Sequence, residues 1–169
     1  MYYQKTFDAM MATPLSNDEI ITGEIAWGAT KSVIATAIML GVVSLFGLVE
    51  YPHGLLILPL SFLGGIAFGT AAMVFTGIVP SIDMFNLPIF LFITPMFLFS
   101  GTFFPIESLP GWAQTLSSAL PLTHLVNLCR ALSLGELPDD MLWGVVYLFV
   151  FFAVLFPVAL MAMRRRLIH

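Results

Sequence analysis

Four long apolar stretches dominate the pattern of hydrophobic and polar positions along the chain. They cover residues 30–49, 54–79, 87–104 and 141–163, and polar residues or turn formers separate them. A helix needs about 20 predominantly apolar residues to cross the hydrocarbon core of a bilayer. The pattern therefore predicts an all-α integral membrane protein with four transmembrane helices.

The third apolar stretch is interrupted at its end, where Ser100-Gly101 and then Pro105 break the helical pattern. Proline and glycine favour backbone angles at which a helix stops. Two short amphipathic helices are predicted after the break, the second beginning near Pro121. Because broken backbone at membrane depth must rest on protein or line a wet cavity, residues 105–140 are predicted to form a re-entrant helical hairpin on one side of the membrane.

Three polar residues, His124, Asn127 and Arg130, are spaced three apart on the second of these helices. Solvent exposure alone would produce such a polar stripe. The alternative is that the stripe contacts a headgroup or saccharide, or forms hydrogen bonds with carbonyl groups that the break leaves free. Glu107 is similarly open to two interpretations, an ordinary acid at a helix N-terminus or a gate residue that pairs with Arg130.

The beginning of the chain, residues 1–28, predicts short amphipathic helices outside the first apolar stretch. Tyr3 and Phe7 start an apolar stripe at helical spacing, and Thr13-Pro14-Leu15 ends it. Ser16 and Glu19 then have the S-x-x-E spacing of a capping box, in which each side chain bonds the other residue's free amide. A second helix is predicted to start there and to run into the first apolar stretch.

The distribution of basic residues predicts the orientation in the membrane. Lys5, Lys31 and the run Arg164–Arg166 fall on one side when four spans are threaded, and Arg130 falls on the other. Because basic residues accumulate on the cytoplasmic side of membrane proteins, both chain ends are predicted to be cytoplasmic and the hairpin to lie outside.

Composition fixes the class of protein and excludes several functions. The chain is 59% hydrophobic and 9% charged, whereas soluble domains carry about 25% charged residues. Its six basic residues form no patch suited to nucleic acid. Cys129 is the single cysteine, so an intrachain disulfide is impossible, and we interpret it as a small apolar filler. Gly65-x-x-x-Gly69 in the second stretch predicts close helix packing.

Motifs for catalysis and for metal or nucleotide binding are not found in the sequence. It contains no H-E-x-x-H, no G-x-S-x-G and no G-x-x-x-x-G-K-[ST]. We therefore predict no catalytic residue, no metal site and no cofactor bound by this chain, and ATP hydrolysis would have to come from a partner.

Several of these features together resemble a known family. The residues from Ser100 to Pro105, the Leu109-Pro110 turn, the segment Leu120–His124 and Arg130 look like the C-terminal half of type-2 ABC transporter permeases. The segment from residue 11 to residue 31 is similar to the part of these permeases that precedes their third span. The final Arg-Arg-Arg-Leu resembles the NodJ-like branch, which exports lipo-oligosaccharides.

The resemblance implies a partner arrangement and assigns roles to residues. Such permeases usually have six spans in the bacterial inner membrane, where they contact lipid, form dimers and pair with an ATPase subunit that binds ATP and Mg²⁺. A cytoplasmic helix docks on the ATPase, and broken helices form an outer gate. The docking residues are then Tyr3, Phe7, Thr13, Pro14, Leu15, Ser16 and Glu19, and the gate or substrate-path residues are Gly101, Phe103, Phe104, Pro105, Glu107, His124, Asn127 and Arg130.

The function predicted from this resemblance is that of a permease subunit in an ABC exporter, which moves an amphipathic substrate, a lipid-linked saccharide or a drug, outward. Compared with the family, two N-terminal spans are missing and Met1 falls inside an expected cytoplasmic loop. A truncated, non-transporting assembly or scaffold protein is therefore the alternative. A channel is less well supported, because the stretch 30–49 offers few polar residues after Lys31, namely Ser32, Thr36 and Ser44.

Overall fold

The chain is described here by a computed structural model, which covers residues 16–79, 84, 86–103, 106–138 and 140–167. Over these residues the regular structure is helical. Short 3₁₀ turns at His53–Leu56 and Ile106–Ser108 precede the second and fourth helices. We number the helices α1 (Asn17–Leu45), α2 (Ile57–Ile78), α3 (Asn86–Phe99), α4 (Gly111–Ser118), α5 (Pro121–Ser133) and α6 (Met141–Leu167).

Helix α1 begins at the predicted capping box. The backbone amide of Ser16 donates to Glu19 Oε2 at 2.7 Å, and the amide of Glu19 donates to Ser16 Oγ at 3.4 Å. The helix then continues for 29 residues, a length of about 44 Å. It ends at Leu45, four residues before the predicted boundary, because Gly47 takes the left-handed conformation with φ of 67°.

Three helices are long and apolar enough to cross a membrane, within the part of the chain that is described. They comprise Asp18–Leu45, His53–Ile78 and Met141–Arg165. The span predicted over residues 87–104 is wrong in its extent, since α3 covers only Asn86–Phe99, a length of about 21 Å. A π-helical turn at Ile89–Ile93 interrupts it and ends two residues before Pro95, which has no amide hydrogen to continue the α-helical pattern.

Helix α2 is the centre of the bundle and packs against both α1 and α6. At one end Ile21 and Ile25 of α1 share an apolar cluster with Met163 of α6. Arg164 forms an ion pair with Asp18 at the same end, with Nε at 2.9 Å from Oδ1. The start of α1 and the end of α6 therefore lie together at one end of the bundle.

The hairpin, which we define as α4 and α5, is attached near the opposite end. Leu128 and Leu132 of α5 belong to the apolar cluster that also contains Leu40 of α1 and Leu148 of α6. A further contact is made by Leu125, which lies against Gly64 of α2. This packing fixes α5 across the ends of the long helices.

Large apolar side chains cover the outside of the long helices. Ile38 and Met39 on α1 and Leu142, Val154 and Met161 on α6 are each more than half exposed. Exposed apolar surface on this scale is unfavourable in water, whereas lipid tails are a suitable solvent for it. The exposed apolar surface therefore agrees with the multi-pass membrane protein that the sequence predicts.

Candidate functional site

The candidate site is the break at the end of α3, where the backbone changes direction at Gly101. Gly101 has φ of 79°, a conformation that residues with a β-carbon rarely adopt. The Ser100 side chain is fully buried, and its hydroxyl donates to the carbonyl of Phe97 at 2.8 Å. Ser100 also lies within 2.8 Å of the Thr102 hydroxyl. Local hydroxyl groups thus replace the helical hydrogen bonds that stop here.

The hairpin supplies a second set of hydroxyl groups to the same break. Ser117 on α4 is fully buried and donates to the carbonyl of Phe99 at 2.7 Å. Its oxygen lies 3.3 Å from the hydroxyl of Thr123, a buried residue on α5. Buried carbonyl groups without a partner are costly, so Ser117 helps to hold the hairpin against the end of α3.

Arg130 on α5 also bonds a carbonyl group at the break. Its Nη2 donates to the carbonyl of Gly101 at 2.7 Å, across 29 residues of sequence. This hydrogen bond is the contact that the polar-stripe hypothesis predicts, and it is present. A positive charge near the C-terminal end of α3 is also favourable, because that end of a helix carries partial negative charge.

The other two residues of the stripe have different surroundings. The Nε2 atom of His124 lies 3.0 Å from the carbonyl oxygen of Ser118, and its ring contacts that of Tyr147 at a tilt of 37°, with centroids 4.4 Å apart. Tyr147 in turn donates to the carbonyl of Ala119 at 2.5 Å. Asn127 is exposed and has no hydrogen bond to any residue in the described ranges. Within the described ranges the stripe is therefore not one network, and Arg130 is its one member that bonds a residue of the break.

The remaining predicted site residues are described in part. Phe103 is exposed and its ring meets that of Phe97 edge-on, with centroids 5.3 Å apart. The side chain of Glu107 is not described, so its pairing with Arg130 stays a prediction. Outside the described residues lie the gate residues Phe104 and Pro105 and the docking residues Tyr3, Phe7, Thr13, Pro14 and Leu15.

Sequence reasoning missed the buried hydroxyl groups of Ser100, Ser117 and Thr123. A usable signal exists, because each is a small polar residue next to the break or on the buried face of a hairpin helix. Cys129, also on α5, has a thiol whose pKa is raised by burial, which agrees with its interpretation as an apolar filler.

Comparison with known proteins gives the chain a family. Residues 2–134 match the family described as ABC-2 type transporter. The chain is 36% identical over 166 residues to Nodulation protein J of Rhizobium leguminosarum bv. trifolii, covering 98% of this chain and 63% of that protein. It is 37% identical over 136 residues to Nodulation protein J of Rhizobium meliloti (strain 1021), covering 80% and 52%.

A more distant relative carries a transport name. The protein called Probable multidrug ABC transporter permease YbhR, of Escherichia coli (strain K12), is 25% identical over 155 residues, which cover 83% of this chain and 39% of that protein. No solved structure matches the chain significantly. The chain thus spans less than two thirds of the length of the relatives named here. Together the matches over most of its residues show that the chain belongs to the ABC-2 type transporter family, as a NodJ-like portion of a permease.

Proposed function

We propose that this chain is the C-terminal membrane portion of a bacterial inner-membrane exporter permease, which moves an amphipathic substrate outward under power from a separate ATPase subunit. ATP and Mg²⁺ are bound by that partner, and a second permease copy completes the pathway within the lipid bilayer. A drug is one candidate substrate, because the name of the E. coli relative describes a multidrug transporter. The saccharide alternative follows the resemblance to NodJ-like exporters.

The closed break at the end of α3 is the observation that carries this proposal. The carbonyls of Phe97, Phe99 and Gly101 are all bonded by side chains, from Ser100, Ser117 and Arg130. Lipid offers no hydrogen bonds to backbone groups. If these bonds between the hairpin and the end of α3, which we call the seam, are broken, the freed carbonyl groups must therefore face protein or water. A helix that only anchors the protein in the membrane needs no such set of side-chain bonds at its end. A transport pathway that opens and closes needs contacts that can be broken and formed again.

Helix α1 offers a route by which the ATPase could act on the break. It starts beside the proposed docking region, at Ser16 and Glu19, and continues without interruption to Leu45. Near its far end Leu40 belongs to the same apolar cluster as Leu128 of the hairpin. If the ATPase displaces the first turn of α1, the uninterrupted helix would transmit that movement to the hairpin and displace it relative to α3.

Transport itself is tested by reconstituting the complete permease with its ATPase in liposomes. ATP-dependent movement of a fluorescent acylated oligosaccharide, or of ethidium as a cationic drug, is the expected result. If the assembled complex moves neither probe, the non-transporting scaffold alternative is favoured instead.

Topology gives a direct prediction. Single cysteines at His53 and Ser118, in a Cys129→Ser background, are expected to react with a membrane-impermeant maleimide in intact cells, and a cysteine at Asn86 is not. The structure supports this grouping, because Asp18 and Arg164 meet at one end of the bundle while the hairpin packs near the other. Labelling of Asn86 without labelling of Ser118 would reverse the proposed orientation.

Docking gives a second prediction. In the complete permease, Leu15→Asp is expected to reduce copurification of the ATPase and to uncouple ATP hydrolysis from transport, because a charge would enter an apolar helix-in-groove contact. Leu15→Met keeps the apolar character and is the control. Normal copurification and normal coupling in the Leu15→Asp variant would leave this segment as a plain membrane-surface helix.

A further inference from the structure

A second feature of the hairpin is a cavity of about 470 Å³ between α5 and the beginning of α6. Its size falls in the range of small-molecule sites, about 300–1,000 Å³. The proposed opening of the break does not require it. Its lining includes His124, Asn127, Leu128, Asp140, Trp143 and Gly144.

One wall of this cavity is fixed in place. The ring of His124 contacts that of Tyr147, and its Nε2 atom lies 3.0 Å from the carbonyl oxygen of Ser118, while Tyr147 donates to the carbonyl of Ala119. These contacts join α4, α5 and α6. A ligand would therefore meet a wall that is already ordered, which lowers the entropic cost of binding.

The cavity combines an apolar floor with an exposed aromatic ring. Leu128 is 4% exposed and packs against Gly144, whose missing side chain leaves room for it. Trp143, on the first turn of α6, is 75% exposed. The flat face of an indole ring offers a large apolar contact at a low cost in side-chain entropy.

Two polar groups beside this ring remain available. The Asn127 amide and the Asp140 carboxylate are both exposed, and neither side chain has a partner among the residues that the structure describes. An amide can both donate and accept, whereas a carboxylate accepts through two oxygens. Neighbouring hydroxyl groups on a sugar ring need both kinds of partner, and the C–H face of the same ring is apolar.

We propose that this cavity binds a sugar ring of an uncharged oligosaccharide, stacked on Trp143 and hydrogen-bonded by Asn127 and Asp140. Its use during export rests on the transport function proposed above, but binding itself does not. A cation could also sit between an indole and a carboxylate. The N–H donors of the Asn127 amide suit sugar hydroxyl groups and have no role toward a cation. Asp140 stands at the start of α6, where the helix dipole already offsets its charge.

The test measures binding without ATP, on the complete permease in lipid nanodiscs. Saturation-transfer NMR with maltotriose, cellotriose and chitotriose is expected to detect binding of at least one trisaccharide. Trp143→Ala should weaken that binding by about tenfold, the loss of one aromatic contact of ~1.4 kcal/mol. Asn127→Ala should weaken it several-fold, and its exposed position keeps the fold intact. Trp112→Ala, which removes another exposed indole on the hairpin, should leave binding unchanged.

The other outcomes contradict either this inference or the proposed transport function. Failure of all three trisaccharides to bind up to their solubility limit contradicts it, and so does binding that Trp143→Ala and Asn127→Ala leave unchanged. Ethidium binding that depends on Trp143, in the absence of sugar binding, would assign the cavity to cations instead. Export that fails while trisaccharide binding persists contradicts the transport function alone, and export that proceeds without this binding contradicts the sugar site alone.

Discussion

Arg130→Ala in the complete permease is expected to change export strongly while leaving expression and ATPase binding close to normal. The substitution removes the hydrogen bond from the guanidinium to the Gly101 carbonyl, and Gly101 is buried. Leaving a buried acceptor unpaired costs about 1–3 kcal/mol. Because ~1.4 kcal/mol is a factor of ten, the balance between closed and open forms of the break should shift by about tenfold to a hundredfold.

The measurement pairs export of the fluorescent substrate with passive leak of the same probe in the absence of ATP. A weakened seam should raise leak, whereas a misfolded protein would lower its yield. Arg165→Ala is the matched control, since Arg165 is also an exposed arginine and lies at the other end of the bundle. If Arg130→Ala transports and leaks like the wild type, the break must be closed by apolar residues such as Phe103, and the hydrogen bond has no gating role.

Local sequence patterns predicted those parts of the fold that depend on neighbouring residues. The capping box at Ser16 and Glu19 was predictable because both bonds form within one turn. The long apolar helices were predictable because bilayer thickness fixes their length. The Arg130 contact could be anticipated because few polar side chains lie near the break, and a cation suits carbonyl groups.

Apart from the Arg130–Gly101 contact, the contacts between residues distant in sequence were missed. The end of α3 at Phe99 is stabilised by Ser117, which is 18 residues away in sequence and has no visible relation to it there. The cavity was missed for the same reason, because Asn127 and Trp143 come from different helices. Periodicity gives no signal for Thr123 on α5, which is buried although it lies beside the polar stripe.

Gly77→Ala is expected to destabilise the permease markedly, because α2 and α6 approach each other at this position almost backbone to backbone. A β-carbon on Gly77 would lie 2.6 Å from the β-carbon of Ala162 and 2.8 Å from its carbonyl carbon. Neither atom belongs to a flexible side chain, so the helices themselves must separate. Overpacking of this kind costs about 1–3 kcal/mol, which should lower both the melting temperature and the yield of purified protein.

Two other glycines on α2 make this prediction selective. Gly65→Ala should act in the same direction, since its β-carbon would lie 2.7 Å from the Cα atom of Ala29 in α1. Gly69→Ala is the control, because its nearest neighbours, atoms of Ile25, are 3.8 Å away and alanine favours a helix over glycine by about 1 kcal/mol in soluble hosts. Thermal unfolding of the three variants in the same detergent should rank Gly69→Ala at or above the wild type and the other two below it. Equal melting temperatures for Gly77→Ala and Gly69→Ala would contradict the close α2–α6 contact.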